Sequence, residues 1–179
     1  MVNLLKIPTW TAERCVHVVV ETPRGARAKL TFEPGLEAFV LSKSLMLGLS
    51  YPYDWGFVPS TLADDGDPLD AMVLHDVATS PGLVLRCKAL GVLQVAQTIG
   101  DRRERNDRII AVPKESHREA EMDDVKALPA EVKDELERCF AATTELEAKA
   151  VKFIGWRGPK AAEKLIRTCQ RAFKTKKAA

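Results

Sequence analysis

The chain has 179 residues, of which 46% are hydrophobic and 29% charged, with a formal net charge of +2. That balance suits one globular domain spanning 1–179 with a sizeable core, and so small a charge gives no electrostatic footprint for nucleic acid. No apolar run is long enough to span a bilayer and no N-terminal stretch resembles a signal peptide, so a cytoplasmic protein with no membrane partner is expected.

In chain order, the predicted elements begin with strands. Cys15 to Val20 is a short β-branched run; Lys29 to Glu33 and Ala38 to Leu41 follow, split by the turn-forming Pro34-Gly35. The cations Arg24, Arg27, Lys29 and Lys43 lie along this stretch and suit phosphate oxygens. The aromatic, turn-rich segment Tyr51-Pro52-Tyr53-Asp54-Trp55-Gly56 would wall a polar site. Strands are then expected over Ala71 to Leu74, Leu83 to Cys87, Val92 to Val95 and Arg108 to Val112, with Gly100 to Asp107 as a charged loop. The last third reads as two helices. The first opens at Pro129 and carries Val132, Leu136, Phe140 and Leu146 on one face; the second opens near Pro159 and carries Ala162, Leu165, Ile166, Cys169 and Phe173. Many short strands followed by helices predict an α+β, mainly β fold with a closed or nearly closed barrel.

The densest chemistry lies in Asp64-Asp65-Gly66-Asp67-Pro68-Leu69-Asp70, where four carboxylates fall within seven positions. Carboxylates so crowded repel one another unless a cation lies among them, and a hard divalent ion such as Mg²⁺ prefers oxygen ligands. A calcium-binding EF-hand does not fit: counted from Asp65, Asp70 falls where glycine is needed, and counted from Asp64, Gly66 falls on a ligand position. A solvated acidic turn remains the plain alternative. His75-Asp76 reads as an ordinary pair, because three histidines are too few for a histidine-rich metal site. Cys15, Cys87, Cys139 and Cys169 have neither disulfide nor zinc spacing and read as inert thiols.

Asp65-Gly66-Asp67-Pro68-Leu69-Asp70 resembles the signature of soluble family I inorganic pyrophosphatases. Glu21-Thr22-Pro23, Lys29, Tyr51-Pro52, Gly56, Thr61-Leu62, Pro81-Gly82, Gly91-Val92-Leu93, Ala111-Val112-Pro113 and Gly155-Trp156 follow in the family's order, so the likeness covers about residues 15 to 175. The resemblance implies a five-stranded OB-like barrel with two C-terminal helices packed outside, a homohexamer, and Mg²⁺-dependent hydrolysis of pyrophosphate to two phosphates. It implies Asp65, Asp70 and Glu21 as metal ligands and Asp67 as the carboxylate that orients or deprotonates the attacking water. Lys29 would clamp phosphate with Lys43 and Arg108, and Tyr51 would line the site.

Other positions depart from the family pattern. Thr31 stands for a glutamate, Lys43 for an arginine, Trp55 for a tyrosine and Gln97 for a metal-binding aspartate. Asn106-Asp107-Arg108 replaces an Asp-x-Lys step, with either Asn106 or, in a register slipped by one, Asp107 at the metal. Thr143-Thr144 replaces a Tyr-Lys pair. These changes keep two rivals open: a hydrolase of another phosphoanhydride, and a non-catalytic metal- or phosphate-binding member of the fold.

Overall fold

The β-branched N-terminal run forms β1 (Val16–Thr22), in which Val16, Val18, Val19 and Val20 are buried. In this computed structural model, which describes residues 3–117, 121–147 and 149–178, β2 (Ala28–Glu33) and β3 (Ala38–Ser44) form a separate hairpin. The chain continues through β4 (Asp54–Val58), β5 (Leu69–Val73), β6 (Val84–Ile99), β7 (Arg102–Arg105), β8 (Arg108–Pro113), α1 (Ala130–Thr144), β9 (Lys149–Arg157) and α2 (Pro159–Ala178).

Five strands close on themselves in the order β1-β4-β5-β8-β6, and the β6–β1 pairing completes the ring. The β5–β8 contact is parallel and the other ring contacts are antiparallel. Closure leaves no free edge within the ring, and β7 and β9 pair with the far half of β6. Two apolar clusters result. One joins Val16, Val58, Leu69, Ala71, Val73 and Ile109 to Ala162, Ile166 and Cys169 of α2. The other joins Met72, Leu90, Leu93, Val95 and Ile110 to Leu136 and Phe140 of α1. Both helices therefore pack outside a five-stranded ring, as expected of a mainly β chain.

Several local expectations are corrected. Asp54 to Val58 is a strand rather than a turn. Gly56 is required there because a Cβ would meet the Val19 carbonyl oxygen at 1.9 Å. Leu83 to Cys87 and Val92 to Val95 are parts of one strand, β6, which shifts register between Ala89 and Gly91 where it passes beneath Arg157 and Val125. The charged segment from Gly100 to Asp107 is not a loop throughout, since Arg102–Arg105 pairs with Ala96 to Ile99 as an edge strand. Charged side chains on such an edge also discourage pairing with another chain. The strand β9 was not anticipated, because Lys149 to Arg157 mixes charges into its apolar pattern. Pro129 caps α1 instead of opening it, and Leu146 lies beyond its end, 73% exposed.

Candidate active site

The acidic turn is held by its own backbone and by Thr61. Gly66 takes φ +90°, a conformation glycine adopts freely, and its N–H donates to the Ala63 carbonyl at 3.1 Å. The Ala63 N–H in turn donates to the Asp67 carbonyl at 2.8 Å, and the Asp67 N–H donates to Asp65 Oδ1 at 3.2 Å. Thr61 accepts from the Leu69 N–H at 2.9 Å, fixing where β5 begins. Along β5, Leu69 and Ala71 point into the core, so the alternation turns Asp70 outward. Asp65, Asp67 and Asp70 thereby line one cleft of about 350 Å³. Burial raises the Asp65 carboxyl above its ordinary range, and the charges of Asp70 and Asp67 add to this against the Asp67 N–H and Arg108.

Glu21 reaches the same cleft from β1, accepting the Phe32 N–H at 2.7 Å. Burial pushes its carboxyl up to about 7, with Asp70 and Asp67 adding repulsion while Phe32 and Lys29 oppose it. Lys29 and Lys43 line the cleft from the hairpin. The Lys43 ammonium donates to the Thr143 carbonyl at 2.5 Å and is ion-paired with Glu147, which ties the hairpin to the end of α1. Sequence reading missed Glu147. Tyr51 is 3% exposed, and burial pushes its phenol up to about 12.

Arg108 forms the deep wall. Its guanidinium lies 5.7 Å from the centre of the Trp55 ring and 5.1 Å from that of Phe140, and Nη1 is ion-paired with Asp70 Oδ2 at 2.7 Å. Trp55 and Phe140 stack with centroids 5.2 Å apart, and Tyr51 meets Trp55 edge-on at 5.6 Å. Thr31, Gln97, Asn106, Thr143 and Thr144 also line the cleft, so the positions where the sequence departs from the family pattern gather here.

Asp107 is not among the lining residues. Its carboxylate accepts the Val95 N–H at 2.9 Å and is gripped by Arg105. Arg24 and Arg27 also lie off the cleft; the Arg24 N–H donates to the buried Asp54. That carboxylate pairs with His75 Nε2 at 2.7 Å and accepts from Thr79, so His75 serves β4 rather than the acidic turn. Trp156 donates to Glu137 at 2.7 Å, linking β9 to α1.

The oxygens of Asp65, Asp67, Asp70 and Glu21 are the donors suited to a hard cation. Among the described residues, no three His, Cys, Asp or Glu side chains are gathered into a ready-made cage. Mg²⁺ characteristically takes one or two carboxylates together with waters and substrate phosphates, so this open donor set fits it.

Residues 18–174 match the family model described as inorganic pyrophosphatase. The chain belongs to the inorganic pyrophosphatase family. An inorganic pyrophosphatase of Thermus thermophilus is 38% identical over 178 residues, covering 97% of this chain and 99% of that one. One from a Synechocystis strain is 33% identical over 172 residues, covering 96% and 99%. The crystal structure of a Thermus thermophilus pyrophosphatase superposes with a TM-score of 0.89 at 37% identity, over 97% of this chain and 99% of that one. A Helicobacter pylori pyrophosphatase gives 0.85 at 28% identity, over 94% and 99%. The pyrophosphatase fold therefore extends over nearly the whole chain, and among the described residues no helix is long and apolar enough to cross a membrane.

Proposed function

We propose that this protein hydrolyses inorganic pyrophosphate to two phosphates, using Mg²⁺ as cofactor. The observation that carries this reading is the meeting of Asp65, Asp67, Asp70 and Glu21 with Lys29, Lys43 and Arg108 in one cleft. Asp65, Asp70 and Glu21 would hold the cation. When bound, the cation neutralises phosphoryl charge and makes water more acidic. Asp67 is the general base: its carboxylate takes a proton from the attacking water as the new P–O bond forms and the bridging P–O bond breaks. Lys29, Lys43 and Arg108 hold the phosphoryl oxygens, and Tyr51 with Trp55 walls the cleft. Asp107 serves the strand instead, by its contacts with Val95 and Arg105.

A second reading, a different phosphoanhydride as preferred substrate, is favoured by the altered phosphate clamp, in which Lys43 is ion-paired with Glu147. Phosphate release from pyrophosphate, ATP and tripolyphosphate across Mg²⁺ concentrations decides between them. Faster release from pyrophosphate supports the first; release from ATP or tripolyphosphate alone supports the second. No Mg²⁺-dependent release from any of the three sinks both and leaves a non-catalytic binding protein. By likeness to the family, we further propose a homohexamer in the cytoplasm.

A further inference from the structure

Gln97, Asn106, Arg108 and Asp70 form a continuous polar chain along the cleft wall, and the donor or acceptor role of each member follows from Arg108. A guanidinium only donates. Its Nη1 donates to Asn106 Oδ1 and to the Asn106 carbonyl at 2.8 Å, and is ion-paired with Asp70 Oδ2 at 2.7 Å. Asn106 must therefore turn its amide oxygen to Arg108 and its NH₂ to Gln97, and Nδ2 donates to Gln97 Oε1 at 3.0 Å. Gln97 must then present its oxygen to Asn106.

Each amide oxygen thus already accepts a hydrogen bond from within the wall, and the donors the wall holds besides are N–H groups. Arg108 Nε has no hydrogen-bond partner although the residue is only 5% exposed. A buried donor without an acceptor is costly, and Arg108 lines the cleft, where a ligand oxygen can supply the acceptor that Nε lacks. The Trp55 and Phe140 rings fix the guanidinium plane and lower the local dielectric. A wall rich in donors and positive charge repels a cation and receives an anion.

We propose that Gln97, Asn106 and Arg108 form a subsite that binds a phosphoryl oxygen directly, with no intervening cation. The cleft then has two chemically distinct ends, the acidic turn for the cation and this wall for the anion. The inference rests on reading the cleft as a phosphoryl-transfer site.

Calorimetric titration of the full chain with inorganic phosphate in EDTA tests it, alongside titration with Mn²⁺. Phosphate is expected to bind without divalent cation, and Arg108→Gln to weaken it at least tenfold. Asn106→Asp supplies a new carboxylate that draws Arg108 away, so phosphate should weaken by a similar factor while Mn²⁺ binds at least tenfold tighter. Circular dichroism melts confirm folding, and the isosteric Asn106→Asp keeps the test decisive where Arg108→Gln fails to fold. Phosphate binding that requires a divalent cation, or either folded variant leaving phosphate affinity unchanged, overturns the subsite. Pyrophosphate hydrolysis assayed on the same samples separates the two readings. Absent hydrolysis with phosphate binding in EDTA counts against the proposed reaction; hydrolysis without such binding counts against the subsite alone.

Discussion

Asp70 Oδ2 lies 2.7 Å from the Arg108 guanidinium, bridging neighbouring parallel strands at the floor of the cleft. Asp70 thus serves a buried cation as well as facing the acidic turn. Asp70→Ala removes the only charged partner that Arg108 contacts among the described residues. The expected loss of stability is about 2 kcal/mol, below the roughly 3–5 kcal/mol for a fully buried pair, because Asp70 keeps some exposure to water. Urea unfolding of the metal-free protein measures it; an unchanged midpoint shows that the pair contributes nothing.

Gly56 permits the approach of β4 to β1. In Gly56→Ala the added carbon meets backbone, which cannot swing aside as a side chain would. A loss of more than about 3 kcal/mol is expected, at or beyond the upper end for overpacking. A thermal melt within a degree of wild type contradicts the close approach.

Burial gives Glu21 a pH-dependent cost. Its carboxyl titrates near 7 in the folded chain against an ordinary value of 4.5. Between those values the folded protein keeps a proton that the unfolded chain has released, so stability falls as pH rises through that window and levels off above it. The total is on the order of 3 kcal/mol. Urea midpoints in EDTA should therefore drop from pH 4.5 to 7 in wild type and drop less in Glu21→Gln. Parallel profiles exclude Glu21 as the source.

Asp107 and Asn106 differ in consequence. Asp107→Ala leaves the Val95 N–H and Arg105 without their acceptor, so it should cost about 1–3 kcal/mol of stability. Its Mn²⁺ affinity should stay at the wild-type value. Weaker Mn²⁺ binding at unchanged stability would restore Asp107 as a ligand.

The parts of the molecule that were legible in the sequence are those whose causes are local. The acidic turn was visible because Gly66 and Pro68 punctuate it, and β5 because apolar residues follow it at once. The helices were visible because one face of each is apolar, as Leu136 with Phe140 and Ala162 with Ile166 show. The strand β4 was hidden because Asp54 and Gly56 look like turn residues. The non-local partners Arg24, His75 and Thr79 explain a buried aspartate there, and the closeness of Val19 explains the glycine. The edge strand β7 was hidden because its side chains are all charged. In the site, Asp65, Asp67 and Asp70 carried a sequence signal, whereas the pairing of Lys43 with Glu147 spans 104 positions and carried none. The exclusion of Asp107 from the cleft likewise depends on a strand register that composition does not record.

The proposed reaction depends on Asp67 activating water for pyrophosphate cleavage. The most direct test is the rate of phosphate release from pyrophosphate by wild type and Asp67→Asn at saturating Mg²⁺, with both shown to be equally folded. Mg²⁺-dependent release by wild type, falling about 10²- to 10⁴-fold in kcat for the variant, is the predicted result. Wild-type rates in Asp67→Asn, or no release by wild type, would contradict it.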